Sequence, residues 1–287
     1  MKTISVAHSP DADDIFMYYA IKFGWVTPND AKFENIADDI ETLNQATLKG
    51  DYDICAISFA LYPFVKDDYA LLKTAVSFGE GYGPKLIKRK GTKLKRNFKV
   101  ALSGEFTTNA LLFKIAYPDA RITYMNFLDI EQAVIDGVVD AGVLIHESIL
   151  TYDDSLEVEK EMWDIWVELS GGDLPLPLGG MCIRRSIPLH AAIDYEDTLI
   201  KAVNVANKNR KVLAPMLLDK GLIRVDADTL DNYLDLYAND NSVQLSDIQY
   251  KALDKLFELG YKNGFYNNLV KSQDFLIPSE YKELRQK

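Results

Sequence analysis

Short apolar runs alternate along the chain with stretches in which apolar side chains recur at helical spacing, the pattern of buried strands joined by amphipathic helices. Near the start, Ile4-Ser5-Val6-Ala7 reads as a strand and Ser9-Pro10-Asp11 as a turn. Asp13 to Phe23 then reads as a helix with an acidic first turn, which the helix dipole favours. A second helix, Asp39 to Lys49, is stopped by Gly50 and followed by the strand Ile54-Cys55-Ala56-Ile57, which the chain leaves at Ser58.

The same alternation resumes further on. Lys99 to Leu102 is a strand, Ser103 to Phe106 a loop, and Thr107 to Tyr117 a helix with threonine at its start. Arg121 to Tyr124, Asp129 to Ile135 and Gly142 to Ile145 read as strand, helix and strand, the last delivering His146. Leu174-Pro175-Leu176-Pro177-Leu178-Gly179-Gly180 cannot be helix interior, because proline lacks the amide donor, and reads as an extended linker. Beyond it Met181 to Arg184 is one more strand, and helical patterns dominate from Tyr195, including Asp228 to Tyr237 and Ser246 to Leu259. These late helices have no strands of their own to cover. The expectation is therefore an α/β protein with a discontinuous first lobe, residues 1–90 and 181–287, and an inserted second lobe, residues 91–180. No internal repeat or low-complexity tract is visible.

Composition narrows the function. With 48% apolar and 26% charged residues the chain is that of an ordinary globular protein. A net charge of −11 argues against nucleic acid, whose phosphates need clustered cations. The one basic run, Lys85 to Lys99, is interrupted by apolar residues and Gly91 and reads as a solvated turn or lobe connection. The first apolar segment is too short for a secretory signal, and no stretch reaches the roughly 18–20 apolar residues of a membrane helix, so a cytoplasmic protein without a membrane partner is expected. Cys55 and Cys182 sit in apolar strand-like segments and read as reduced, buried thiols.

In open α/β sheets, ligands bind beyond the carboxyl ends of strands, where strand order reverses. That rule selects His8, Ser58, Thr107, Thr108 and His146. Thr107-Thr108 admits two readings, an ordinary helix cap or an anion site in which hydroxyl and helix-start amides share a carboxylate, and Ser58 has the same ambiguity. His146 is either a structural histidine or a group able to take a proton near neutral pH. Strand alternation turns Glu147 away from the side that His146 faces. The aspartates of His8-Ser9-Pro10-Asp11-Ala12-Asp13-Asp14 are explained by turn and helix-start chemistry, and no second His/Asp cluster supports a metal. Gly79, Gly81 and Gly83 lack the Lys-Ser/Thr ending of a phosphate loop and read as a lobe-joining turn.

Several of these motifs, taken in order, closely resemble those of the 1,4-dihydroxy-6-naphthoate synthase family. They are His8-Ser9-Pro10-Asp11 with Asp13-Asp14, Asp39-Ile40-Glu41-Thr42-Leu43-Asn44, Ala56-Ile57-Ser58-Phe59, Gly79 to Pro84, Thr107-Thr108, Ile145-His146-Glu147 and Leu174 to Gly180. The resemblance extends to about Arg185. It implies a fold like the type II periplasmic binding proteins, with a ligand cleft between two lobes. It also implies conversion of cyclic dehypoxanthinylfutalosinate, a small carboxylated aromatic substrate, to 1,4-dihydroxy-6-naphthoate and dihydroxyacetone, with no cofactor and no metal. By the same resemblance His146 is the proton acceptor. Asn44, Ala56, Ile57, Ser58, Thr108 and Asn109 line the substrate pocket, and Thr107 joins them from the helix-start argument. Where the family has a second proline in its opening motif, this chain has Ala12. Two other readings stay open: a solute-binding protein without catalysis, against which the missing export signal argues, and chorismate dehydratase, a sister enzyme of the same fold.

Overall fold

In the computed structural model, which describes residues 2–172 and 174–278, the apolar runs gather into two mixed sheets. The first contains β1 (Lys2–His8), β2 (Ala31–Ala37), β3 (Ile54–Ser58), β4 (Tyr69–Leu71) and β5 (Ser77–Gly79). The second contains β6 (Lys85–Arg89), β7 (Lys99–Leu102), β8 (Arg121–Tyr124), β9 (Ala141–Leu144) and β10 (Leu156–Glu161), after which β11 (Leu176–Arg184) returns to the first. Spatial order is β2-β1-β3-β11-β4 with β5 beside β11, and β10-β6-β9-β7-β8.

Both sheets start with the same winding. β1 runs parallel to β2 and β3, and β7 runs parallel to β8 and β9. Strand order therefore reverses between β1 and β3 in one sheet and between β7 and β9 in the other, and each reversal opens a crevice at the carboxyl ends. The remaining pairings, β11 with β3, β4 and β5 and β6 with β9 and β10, are antiparallel, so both sheets are mixed.

Helices α1 (Ala12–Lys22), α2 (Ile40–Lys49) and the single turn α3 (Tyr62–Val65) follow strands of the first sheet; α4 (Thr108–Ala116), α5 (Phe127–Ile135) and α6 (Met162–Ser170) follow strands of the second. Helices α7 (Leu189–Lys208), α8 (Arg210–Asp219), α9 (Ala227–Tyr237) and α10 (Asp247–Lys262) come last; α7, α8 and α9 pack on α1, and α10 on β11 and α6. None of the described helices is long and apolar enough to cross a membrane. Local chemistry explains the boundaries. Asp39 accepts the amides of Glu41 and Thr42 at the start of α2, and Gly50 closes it in the left-handed region at φ 75°.

Two sequence expectations change. Lys85–Arg89 is strand β6 rather than a solvated turn, because Leu86 and Ile87 are buried side by side and the flanking cations meet the acidic β10. Lys88 reaches Glu159 at 2.5 Å and Glu157 at 3.5 Å across that pair. The Leu174–Gly180 segment is not a linker through its length: from Leu176 it is β11, with Pro177 and Gly179 flanking a register shift against β5 that lets a proline sit in a sheet. The crossings between sheets consequently fall between Gly79 and Lys85 and between Glu161 and Leu176, ahead of the expected positions near Lys90 and Gly180. Gly79 permits the first crossing, since a Cβ there would lie 2.2 Å from the Tyr82 carbonyl oxygen.

The second crossing is fastened by Trp166, fully buried, whose indole N–H donates to the Leu174 carbonyl at 2.6 Å. Trp166→Ala should cost roughly 3–5 kcal/mol in urea unfolding, as expected for a large aromatic cavity; a midpoint within error of the parent chain would show that the turn does not depend on it.

Candidate active site

The two strand-order reversals face one another across a cleft of about 730 Å³, and the residues that line it come from both. From the first sheet come Ser9, Asp11, Asp13 and Asp14 after β1, and Ala56, Ile57 and Ser58 at the end of β3. Across from them are Ser103 after β7, Thr107, Thr108 and Asn109 at the start of α4, and Ile145 and His146 after β9. Gly179 and Gly180 of β11 and the phenols Tyr233 and Tyr237 of α9 complete the wall.

His146 is the pivot. Its φ of 55° is left-handed, a conformation that a non-glycine residue adopts only when its surroundings enforce it. Among the described residues Ala75 is the other such non-glycine case, and it too lines the cleft. The strained turn aims the imidazole at the opposite lobe, where Nδ1 lies 2.5 Å from Asp11 Oδ2. Phe127 packs edge-on against the ring at 4.9 Å. Nε2 is buried with no hydrogen-bond partner.

The electrostatics follow from this pair. Burial opposes the imidazolium, but the Asp11 carboxylate in contact with it prevails, so the His146 pKa is raised above 6.5. Burial likewise pushes the Asp11 carboxyl up, and the imidazolium more than reverses that, holding it at about 2. In the neutral imidazole, Nδ1–H donates to Asp11, which leaves the Nε2 lone pair free to take a proton. Asp11 stands at the cap position of α1 but makes no side-chain capping bond. Helix-start chemistry therefore does not account for it.

Strand alternation does not reach Glu147, because β9 ends at Leu144 and His146–Ile149 form a 3-10 turn, and Glu147 joins the lobes through other partners. Its Oε1 accepts the Ala12 amide at 2.8 Å, and its Oε2 accepts from Arg224 at 3.2 Å. The Arg224 guanidinium in turn lies 5.2 Å from the centre of the Phe127 ring. On the far side, Glu41 Oε2 accepts the Phe106 amide at 3.2 Å, and Gly104 makes room for it, since a Cβ there would meet the Glu41 carboxylate at 2.2 Å.

The other sequence-selected residues divide by role. Thr107 is a helix cap: its hydroxyl accepts the Ala110 amide and donates to the Gly104 carbonyl. Thr108 donates its hydroxyl to the Leu178 carbonyl at 3.0 Å and accepts the Ala60 amide at 3.3 Å, so it ties α4 to the first sheet rather than offering a free hydroxyl. Asn44 does not line the cleft; it lies behind Ser58, accepting the Ser58 amide at 3.0 Å and donating to Ser58 Oγ at 3.2 Å. That leaves the Ser58 hydroxyl hydrogen free to donate. Asn109 reaches the cleft with its Oδ1 unpartnered, and the amides of Thr108 and Asn109 belong to the donor-rich first turn of α4. His8 lies outside the lining: Nδ1 bonds the Ser9 carbonyl at 2.7 Å, Nε2 accepts from Asn35, and burial lowers its pKa.

Sequence reasoning passed over Asp11, Asp13, Asp14, Tyr233, Tyr237 and Arg224. The first three were visible as a cluster, but nothing in it distinguished a helix start from a partner of a residue more than a hundred positions away. No signal in the sequence marks α9 as a cleft wall.

Comparisons with known proteins identify relatives of this chain. A family model described as menaquinone biosynthesis matches residues 4–262. A 1,4-dihydroxy-6-naphthoate synthase of Streptomyces coelicolor is 31% identical over 88% of this chain and 90% of its own length, and one of Thermus thermophilus is 28% identical over 90% and 93%. A crystallised protein from Archaeoglobus fulgidus superposes with a TM-score of 0.84 at 34% identity, covering 91% of this chain and 98% of its own. The periplasmic aliphatic sulphonate binding protein of Escherichia coli superposes at 0.65 with 13% identity, over 100% and 96%, which establishes the periplasmic-binding-protein-like fold expected above.

The Asp11–His146 pair has a defined pH window. Its stabilisation is complete above pH 3.8, is lost as pH falls through about 2, and fades on the alkaline side as His146 deprotonates above its raised pKa. With only three histidines in the chain, His146 can be followed by NMR. Asp11→Asn should lower its midpoint, because burial is then opposed only by the weaker pulls of Glu147 and Asp14; an unmoved midpoint would contradict the pairing.

Proposed function

This chain belongs to the menaquinone biosynthesis family, and we propose that it works there as a 1,4-dihydroxy-6-naphthoate synthase, a carbon–carbon lyase that splits cyclic dehypoxanthinylfutalosinate into 1,4-dihydroxy-6-naphthoate and dihydroxyacetone. The observation that carries the reading is the buried His146 imidazole, oriented by Asp11 through Nδ1 and left with an unpartnered Nε2 in the cleft. Such a group is placed to remove a proton beside the bond that breaks, and formation of the aromatic ring drives the step.

The walls of the cleft orient the substrate. No Lys or Arg is among the described lining residues, while Asp11, Asp13 and Asp14 crowd one wall. The substrate carboxylate therefore belongs against neutral donors: the Ser58 hydroxyl and the first-turn amides of α4 at Thr108 and Asn109. That orientation directs the sugar-derived carbons toward His146. Ala56, Ile57, Leu178 and Ile145 provide apolar surface for the ring. Contacts such as Thr108 to Leu178 and Glu147 to Ala12 hold the lobes together and exclude water from the reacting centre. The shared synthase name of both curated relatives favours this reading over the carrier and the dehydratase.

Purified protein incubated with cyclic dehypoxanthinylfutalosinate should release dihydroxynaphthoate, identified by chromatography; unchanged substrate would refute the activity. His146→Ala should lower kcat by about 100- to 10,000-fold, the range for loss of a general base. The parent enzyme should gain activity as pH rises through an inflection above 6.5, since the imidazolium cannot accept a proton. An inflection at or below 6.5 would show that a group other than His146 is the base.

A further inference from the structure

Four carboxylates meet at the His146 side of the cleft, and three of them have evident partners. Asp11 pairs with His146, Glu147 takes the Ala12 amide and Arg224, and Asp14 Oδ2 accepts the Ser9 amide at 2.8 Å. Asp13 is different. It is 3% exposed, it lines the cleft, and its Oδ1 is buried with no hydrogen-bond partner. An isolated carboxylate buried among other carboxylates is costly, and the available response is to hold a proton. As a neutral carboxylic acid, Asp13 becomes a donor with no partner of its own, whereas Asp14, which burial and Asp11 push up to about 8, is held by the Ser9 amide.

We infer that Asp13 is the general acid of the reaction, delivering its proton to the carbonyl oxygen of the departing three-carbon fragment, which receives the electrons of the broken carbon–carbon bond. This rests on the synthase reading. The step balances. His146 Nε2 takes the proton of the hydroxyl on the ring carbon at that bond, and the O–H electron pair becomes a ring carbonyl. The electron pair of the carbon–carbon bond passes into the fragment and onto its carbonyl oxygen. The Asp13 proton joins that oxygen and leaves the enediol of dihydroxyacetone, which tautomerises to the ketone, while the ring diketone enolises to the aromatic diol. One proton leaves the substrate and one enters, so no oxidant or reductant is required. His146 and Asp13 return to their starting forms by exchange with solvent once the lobes part.

The surroundings of Asp13 agree with this assignment. Burial raises its pKa first, and Asp11, Asp14 and Glu147 raise it further, against a smaller opposing pull from its own backbone amide at the start of α1. Tyr233 and Tyr237 face the same space from α9, and burial and these carboxylates keep both phenols protonated, so they leave the acid form of Asp13 unchallenged. The nearby cations, His146 and Arg224, are committed to Asp11 and Glu147.

The test compares the parent enzyme with Asp13→Asn and Asp14→Asn on cyclic dehypoxanthinylfutalosinate. Asp13→Asn keeps the shape of the side chain but cannot transfer a proton, so kcat should fall about 100- to 10,000-fold with KM little changed. The parent pH profile should show an alkaline limb that Asp13→Asn loses and Asp14→Asn keeps, while the acid limb from His146 persists in both. Near-parent kcat in Asp13→Asn, or an alkaline limb that disappears with Asp14 instead, would overturn the assignment. A second measurement does not depend on turnover: the infrared difference between parent and Asp13→Asn at neutral pH should contain a protonated-carboxyl carbonyl band. An inactive parent enzyme refutes the synthase reading and with it the acid's role in that reaction; absence of the band in an active enzyme refutes Asp13 alone.

Discussion

The contact between Asp11 Oδ2 and His146 Nδ1 joins two parts of the chain that share no sheet. One partner follows β1 and the other follows β9, so the pair exists only when the two crevices face each other. A buried ion pair of this kind contributes little net stability, because desolvation offsets its attraction. Its value lies in specification. It fixes the imidazole tautomer, leaves Nε2 unpartnered, and couples lobe position to the protonation of the proposed base. The strained φ of His146 and the edge contact with Phe127 belong to the same device, since both hold the ring where Asp11 can meet it.

Around that pair the cleft separates charge. One wall gathers Asp11, Asp13 and Asp14, while the facing wall supplies hydroxyl, amide and helix-start donors without any cationic side chain among the described lining residues. An anionic substrate therefore has one favourable orientation, set by the donors that the facing wall gathers. The periplasmic aliphatic sulphonate binding protein shares this fold. What the proposed activity adds to this fold is a small set of residues placed at the two strand-order reversals.

Much of the framework was legible because it depends on local rules. Buried runs such as Ile54–Ile57 and Val100–Leu102, the glycine stop at Gly50 and the cap at Thr107 each announce themselves within a few residues. The rule for ligand sites in open sheets located Ser58 and His146 from the same information. Strands β6 and β11 escaped because their identity depends on partners. Lys85–Arg89 is a strand only in the company of the acidic β10, and Leu176–Gly180 only beside β3 and β5. Asp11 was assigned to the helix it precedes because its true partner is remote in sequence, and Thr108 was given a free hydroxyl because the Leu178 carbonyl that occupies it could not be foreseen. Local signals name the elements; long-range pairing decides what each polar side chain is for.

The proposed chemistry depends on which way round a carboxylated aromatic ring sits between these walls. A crystal structure of the protein with 1,4-dihydroxy-6-naphthoate bound would decide it. The expected density places the carboxylate at Ser58 and the first turn of α4, with the hydroxylated ring beside His146 Nε2. A carboxylate lying instead against Asp11, Asp13 and Asp14, or a ring that does not approach His146, would contradict the proposed chemistry.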